Sequence, residues 1–213
     1  MATKRRSESP DNTEPKTKRS TSTSSSRFSP DQIIIGVSVV ISIIIVAVVI
    51  YVSVQNNYLV NSEIEGLETF TGLVATHVTT PVTYMQTPPV GGPHNPTWQT
   101  CGVYTSPLAN EFAVHSLEHG AVWITYQPEL AEDQVRALQD ITTRGTHRLL
   151  SPYPGIDSPI IISAWGYQLR LERADDQRLM QFIAQFEQGP TTPEPGATCS
   201  GGETRTLAQM FSG

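Results

Sequence analysis

The hydrophobic pattern divides the chain into one long apolar run and a later region of shorter elements. Residues 33–54 carry no charged side chain and consist largely of isoleucine and valine. At 1.5 Å per residue this run is long enough to cross a bilayer core of about 30 Å, and a helix satisfies every backbone hydrogen bond within the segment. The pattern predicts a transmembrane helix at residues 32–54. A signal peptide or a buried core helix is disfavoured by the long polar stretch that precedes the run and by the absence of a polar face.

Short apolar segments and two amphipathic segments follow the run. Segments rich in valine, isoleucine and aromatic residues predict strands at residues 121–126, 159–165 and 167–171. Apolar side chains at helical spacing predict helices at residues 129–143 and 174–188. The order of strand, helix, strand, strand and helix indicates an α+β fold. Its small, mainly antiparallel sheet with two packing helices is compatible with a ferredoxin-like arrangement.

The distribution of charge predicts the orientation of the chain. Residues 1–30 carry seven basic and three acidic residues, and the next basic residue after the apolar run is Arg136. Because basic residues beside a membrane span stay in the cytoplasm, we expect a cytoplasmic N-terminus and an extracytoplasmic domain at the plasma membrane. Residues 55–213 hold seven arginines and sixteen acidic residues, a net charge of −9. This charge predicts no nucleic-acid partner, the bilayer is the partner we expect, and protein partners stay open.

These patterns predict five segments. The first is rich in serine, threonine and basic residues, and it lacks the apolar surface that folding requires. Prolines and glycines interrupt residues 77–108, and the segment at 112–119 is either a short helix or one arm of a hairpin. The predicted segments are a disordered cytoplasmic tail at 1–31, the transmembrane helix at 32–54, a juxtamembrane stalk at 55–76, the α+β domain at 77–200 and a C-terminal tail at 201–213.

The two cysteines, Cys101 and Cys199, both follow the apolar run. Thiols outside the cytoplasm tend to be oxidised, so a disulfide between them is the simplest expectation. It would tie a proline- and glycine-rich tail to the loop that precedes the histidines. Two unpaired thiols are the alternative, and the absence of C-x-x-C spacing disfavours a cysteine metal site.

Four of the five histidines fall within 43 consecutive positions and are the candidate metal ligands. They are His77, His94, His115 and His119. His115 and His119 are four residues apart, which places both imidazoles on one face of a helix. Imidazole is a common ligand of zinc and copper, so a copper or zinc ion is the predicted cofactor. The alternative is that these histidines are hydrogen-bonded structural residues, and His147 is interpreted as a surface residue.

The string HSLEH at residues 115–119 permits an enzymatic alternative. It fits the H-x-x-E-H pattern of inverted zincin proteases, in which two histidines bind zinc and the glutamate is the general base. Glu118 is the corresponding residue here, and it can equally orient a histidine from outside the ligand set. A third ligand would come from another acidic residue. Conceivable third ligands are Glu172, Glu187 and Glu194.

Three longer motifs together carry a family resemblance. They are TYMQTPPVGGPHNPTWQTCGVYTSPL, AVHSLEHGAVWITY and IIISAWGYQLRLE. In this order they resemble the bacterial family catalogued as domain of unknown function 3105, over most of residues 75–200. The resemblance implies a membrane anchor or signal ahead of the domain and brings no assigned activity.

The sequence favours a non-enzymatic function. We expect a single-pass membrane protein whose extracytoplasmic domain binds copper or zinc through clustered histidines, for metal handling or sensing at the cell surface. A metal-dependent hydrolase is the first alternative. A purely structural or partner-binding domain is the second, in which the histidines connect the proline-rich loop to the core.

Overall fold

The computed structural model describes residues 30–61 and 63–212 and separates the chain into two compact units. Helix α1, Pro30–Asn61, has 32 residues and a length of about 48 Å. Within the described part of the chain it is the one helix long and apolar enough to cross a membrane, and a signal sequence shares these properties. Most of the tail predicted at residues 1–31 lies outside the described residues.

The second unit is built on a six-stranded sheet in the order β1-β6-β5-β3-β4-β2. The strands are β1 (Glu68–Thr69), β2 (Gly102–Val103), β3 (Val122–Tyr126), β4 (Arg148–Pro152), β5 (Ile160–Ala164) and β6 (Tyr167–Leu171). Three of the five pairings are antiparallel, namely β1 with β6, β6 with β5 and β5 with β3. Strand β4 pairs in parallel with both β3 and β2. The α+β class and the mainly antiparallel sheet are therefore confirmed.

Four helices accompany the sheet within residues 63–212. They are α2 (Asn110–Glu118), α3 (Glu132–Thr143), α4 (Gln177–Phe186) and α5 (Leu207–Met210). Asp176 is the N-terminal cap of α4, and its side chain accepts a hydrogen bond from the backbone N–H of Arg178. Segment 112–119, left open between a helix and a hairpin arm, belongs to helix α2 and its C-terminal cap.

Both faces of the sheet are covered by other elements. Alternate residues of β3 point to opposite sides, so Ile124 joins the larger core, which α3 and α4 cover, while Trp123 joins a smaller core with Leu117 of α2. Burial on both faces explains why β3 and β5 have apolar residues at successive positions rather than in alternation. The histidines of α2 lie on the side of the smaller core.

The structure adds elements that the sequence pattern did not predict. Strand β4 was missed, since Arg148, Ser151 and Pro152 interrupt its apolar residues. Strands β3 and β4, which precede and follow α3 along the chain, are adjacent and parallel in the sheet. In a ferredoxin-like split βαβ unit, another strand lies between the two strands that the helix connects. Strand β1 falls within the predicted stalk at 55–76, and α5 falls within the predicted tail at 201–213.

Candidate metal centre

Helix α2 supplies one side of the centre. His115 and Glu118 lie on its last turns, and His119 is its C-terminal cap. Positions i, i+3 and i+4 share one face of a helix, so the three side chains converge. Gly120 directly follows this cap, with a φ of +87°, and an added Cβ there would lie 3.0 Å from the Cα of Gln188. Glycine is therefore required at the point where the chain leaves the centre.

The proline-rich loop supplies the other side. The backbone N–H of Val78 donates to the carbonyl of His94 at 2.7 Å, and the N–H of His94 donates to the carbonyl of Thr76 at 2.9 Å. This short parallel bridge aligns His77 with His94 and holds their ring centroids 4.9 Å apart. Two histidines seventeen positions apart thereby act as neighbours.

Three of the histidine side chains converge on one carboxylate oxygen, Oε2 of Glu118. The Nε2 atoms of His94, His77 and His115 lie 2.9, 3.6 and 3.9 Å from it, respectively. The four ligand atoms all lie within 4.8 Å of one another. Glu118 and His94 are buried, whereas the side chain of His77 is 45% exposed.

The opposite ring nitrogens fix the tautomers of three histidines. The Nδ1 atoms of His94, His115 and His119 face the backbone carbonyls of Gly92 at 2.8 Å, Asn95 at 2.6 Å and Thr198 at 2.7 Å. A carbonyl only accepts, so each Nδ1 must carry the proton. In the neutral rings each Nε2 then carries a lone pair that points into the centre, as it does in histidines that ligate metals.

A second group of possible ligands adjoins the first and shares His115 with it. The Nε2 atoms of His115 and His119 are 2.9 Å apart, and Nε2 of His119 lies 3.4 Å from Oε2 of Glu194. The ligand atoms of these three residues also lie within 4.8 Å of one another. The side chain of Glu194 is 49% exposed.

The segment that carries Glu194 is held at two points. Its backbone N–H donates to the carbonyl of Glu118 at 3.1 Å. Further along, the Sγ atoms of Cys101 and Cys199 lie at disulfide distance, with Cα atoms 5.3 Å apart. Cys199 directly follows Thr198, whose carbonyl accepts from His119. The cysteine pair therefore anchors the backbone that orients His119.

The electrostatics of the centre favour a cation. Burial lowers the pKa of His115 to about 4, against the opposing effect of the Asn95 carbonyl, and the neighbouring histidines lower it further. The Glu118 side chain is 3% exposed, and among the described residues no arginine forms a salt bridge with it. A buried carboxylate among imidazole lone pairs needs a positive charge to compensate it.

The structure brings together all four histidines that the sequence singled out as ligands, together with Glu118. His147 was interpreted as a surface residue, and this was wrong. It is 8% exposed, and its ring contacts Thr146 and the carbonyl of Ala197 instead of the cluster. Glu187 forms a salt bridge with Arg148, so of the three conceivable acidic ligands Glu194 is the one that faces a histidine of the centre.

Aromatic side chains wall the centre. The ring of Trp165 lies 5.8 Å from that of His94, and the ring of Trp98 lies 5.0 Å from that of His119. No local signal marked Glu194, because its approach to His119 depends on the folding of a distant loop.

The model of one protein family matches residues 77–201, and its description is "Protein of unknown function (DUF3105)". The matched range begins at His77 and includes the other histidines, Glu118, Glu194 and both cysteines. Neither a curated protein nor a solved structure matches the chain.

Proposed function

Since the chain belongs to the family described as protein of unknown function (DUF3105), we propose a function from the centre itself: its domain binds a divalent transition-metal ion. The proposed ligands are Nε2 of His77, His94 and His115 and the carboxylate of Glu118. His119 adjoins this set through His115. The proposed role is metal handling or sensing rather than catalysis.

One observation carries the proposal. Three histidines direct Nε2 toward a single buried carboxylate oxygen, and the Nδ1 protons of His94 and His115 are donated to backbone carbonyls. Without a cation, the lone pairs of the imidazole Nε2 atoms face one another and the carboxylate of Glu118 in a buried site. This arrangement is unfavourable. A metal ion among these atoms satisfies all of them at once.

The donor set supports zinc or copper. Three imidazoles and one carboxylate suit zinc and divalent copper, and they lack the thiolate or thioether ligands that favour monovalent copper. A tetrahedral ion 2.0–2.1 Å from each ligand would place the ligand atoms about 3.4 Å apart. The distances from Glu118 Oε2 to the three Nε2 atoms, 2.9 to 3.9 Å, bracket this value.

The proposed location is the outer face of the plasma membrane. The apolar helix α1 and the basic residues that precede it support a single-pass anchor with a cytoplasmic N-terminus. The disulfide distance between Cys101 and Cys199 supports an oxidising compartment for the domain. A reporter fused after residue 213 should be active only outside the cytoplasm, and cytoplasmic activity would contradict this orientation.

Metal titration of full-length protein in detergent tests the proposal. We expect wild-type protein to bind one equivalent of zinc or divalent copper, and His94→Gln to lose at least about 100-fold in affinity. His147→Gln is the matched control, because His147 is also buried but lies outside the cluster. Equal metal binding by wild-type protein and His94→Gln would contradict the proposal.

The hydrolase alternative assigns Glu118 a different role. His115 and His119, with Nε2 atoms 2.9 Å apart on one face of α2, fit the histidine pair of H-x-x-E-H enzymes. In such an enzyme Glu118 is a base and not a ligand. A Glu118→Gln variant that keeps its metal but loses hydrolytic turnover would support the enzyme, whereas loss of the metal supports the proposed binding site.

A purely structural role makes a third, distinct prediction. If the histidines only connect the loop to α2, replacing them lowers the melting temperature and neither zinc nor copper changes it. Under the proposed function, an ion at 100 times its dissociation constant stabilises the wild-type protein by about 2.7 kcal/mol. Thermal unfolding with and without metal separates the two.

A further inference from the structure

The two ligand groups of the centre overlap at one atom. The inner position comprises His77, His94, His115 and Glu118, and the outer position comprises His115, His119 and Glu194. His115 contributes Nε2 to both, since its Nδ1 faces the carbonyl of Asn95. An imidazole nitrogen has a single lone pair, so Nε2 of His115 can coordinate one ion at a time.

The two positions differ in ligand number. The inner position offers four protein ligands, the number that closes a tetrahedral site. The outer position offers two histidines and one carboxylate, which leaves a coordination place for water or an incoming ligand. Each position reaches solvent through one ligand, the outer through Glu194 at 49% exposure and the inner through His77 at 45%.

We propose that the outer position is an exchange site, and that a single ion passes between it and the inner position by way of His115. This inference rests on the proposed metal-binding function. The ion enters at Glu194 and His119, gains His115, and then exchanges the outer ligands for Glu118, His94 and His77. Release follows the reverse order. No electron transfer or bond formation other than ligand exchange is involved.

The surrounding structure fits this role for the outer ligands. His119 is held by the Thr198 carbonyl beside Cys199, and Glu194 by its own backbone hydrogen bond to Glu118. The exchange ligands are thus fixed relative to α2 although Glu194 faces solvent. A competing route exists at His77, whose side chain is also exposed.

Zinc stoichiometry and exchange kinetics of full-length protein in detergent test the inference. We expect one zinc per chain in wild-type protein. In Glu194→Gln we expect zinc uptake, and zinc release to a chromogenic chelator, to slow together by about tenfold. The dissociation constant should change by less than about twofold, because the inner ligands are unchanged.

Two further variants act as controls. Glu129→Gln removes the same charge from an exposed position outside both ligand groups and should leave both rates unchanged. Glu194→Asp keeps a carboxylate and should restore part of the lost rate. Rescue by aspartate separates ligation from a general structural role.

Several results would overturn the inference. Two zinc ions bound per chain would show that the positions are occupied together. Equal exchange rates in Glu194→Gln and Glu129→Gln would place the exchange route elsewhere, such as beside His77, while metal binding itself stood. If wild-type protein binds no metal, both the function and this inference fail, and the stoichiometry measurement distinguishes this case.

Discussion

Helices α4 and α2 pack on opposite faces of the sheet and bury different chemistry. Helix α4 buries Leu179, Phe182, Ile183 and Phe186, an apolar stripe at helical spacing. Helix α2 buries six consecutive residues, which include His115, Ser116 and Glu118. An apolar stripe stabilises the fold by removing hydrocarbon from water, whereas buried polar groups oppose folding unless each finds a partner.

The difference separates a mainly apolar face of the domain from the face that carries the candidate metal centre. On the α4 side, the buried apolar contacts contribute to stability without a ligand. On the α2 side, the buried carboxylate and imidazoles are costly without a cation, and a bound cation would satisfy them. Substitutions of Phe182 on α4 and of Glu118 on α2 should therefore change the stability of the metal-free protein in opposite directions.

The largest effect is expected on the α4 side. Phe182 is fully buried in the larger core, and Phe182→Ala leaves a cavity that costs about 3–5 kcal/mol of unfolding free energy. Zinc affinity of the molecules that remain folded should be unchanged. Denaturant unfolding and metal titration measure the two effects, and a large loss of affinity would show that the two faces are not independent.

The next largest effect is expected at the cysteine pair. A disulfide between Cys101 and Cys199 closes a loop of nearly one hundred residues, so replacing both cysteines with serine should cost about 2–5 kcal/mol. Unlike Phe182→Ala, this change should also slow zinc uptake and release, because Cys199 anchors the carbonyl that orients the outer ligand His119. Unchanged stability with and without reductant would contradict a bridged pair.

Glu118→Gln should change the unfolding free energy of the metal-free protein in the direction opposite to Phe182→Ala. It removes a buried charge, and the amide N–H can donate to the lone pair of His94 Nε2. We expect the metal-free protein to be as stable as the wild type or more stable, and metal affinity to fall by at least about 100-fold. Destabilisation of the metal-free protein comparable to that of Phe182→Ala would contradict this interpretation of α2.

Lowering the pH should reduce the stability of the metal-free protein through His115, on the α2 side. Its pKa is about 4 in the folded protein and 6.5 as its ordinary value, so the unfolded chain binds its proton more readily. The stability of the metal-free protein should be complete above pH 6.5 and fall as the pH is lowered from 6.5 to 4. Comparison of wild-type protein with His115→Gln in denaturant unfolding at several pH values isolates this contribution, and an identical pH dependence would contradict it.

Local sequence patterns predicted most of the central elements of the domain. Strands β3 and β5 follow from continuous apolar runs, and strand β6 and helices α3 and α4 follow from apolar residues at the spacing of each element. The clustering of His77, His94, His115 and His119 was also predicted, since helical spacing and sequence proximity favour it.

What escaped prediction depends on distant contacts. The polar residues of β4 obscure a strand whose position is set by its pairing with β3. Glu194 was one of three conceivable third ligands that the sequence could not tell apart, because its approach to His119 depends on a loop that returns from the far end of α4. His147 is polar, yet the same returning segment buries it at the carbonyl of Ala197. Contacts between residues so far apart in sequence leave no local pattern from which they could be predicted.

The segment that carries Glu194 and Cys199 can be linked to the rest of the domain in two chemically different ways. A disulfide at Cys199 would yield to reductants, whereas an ion passing through Glu194 and His119 would yield to acid or to a stronger chelator. A reductant at neutral pH would break only the first link, and acid alone only the second. With both broken, backbone hydrogen bonds such as that from Glu194 to the carbonyl of Glu118 would be left to hold the segment against α2.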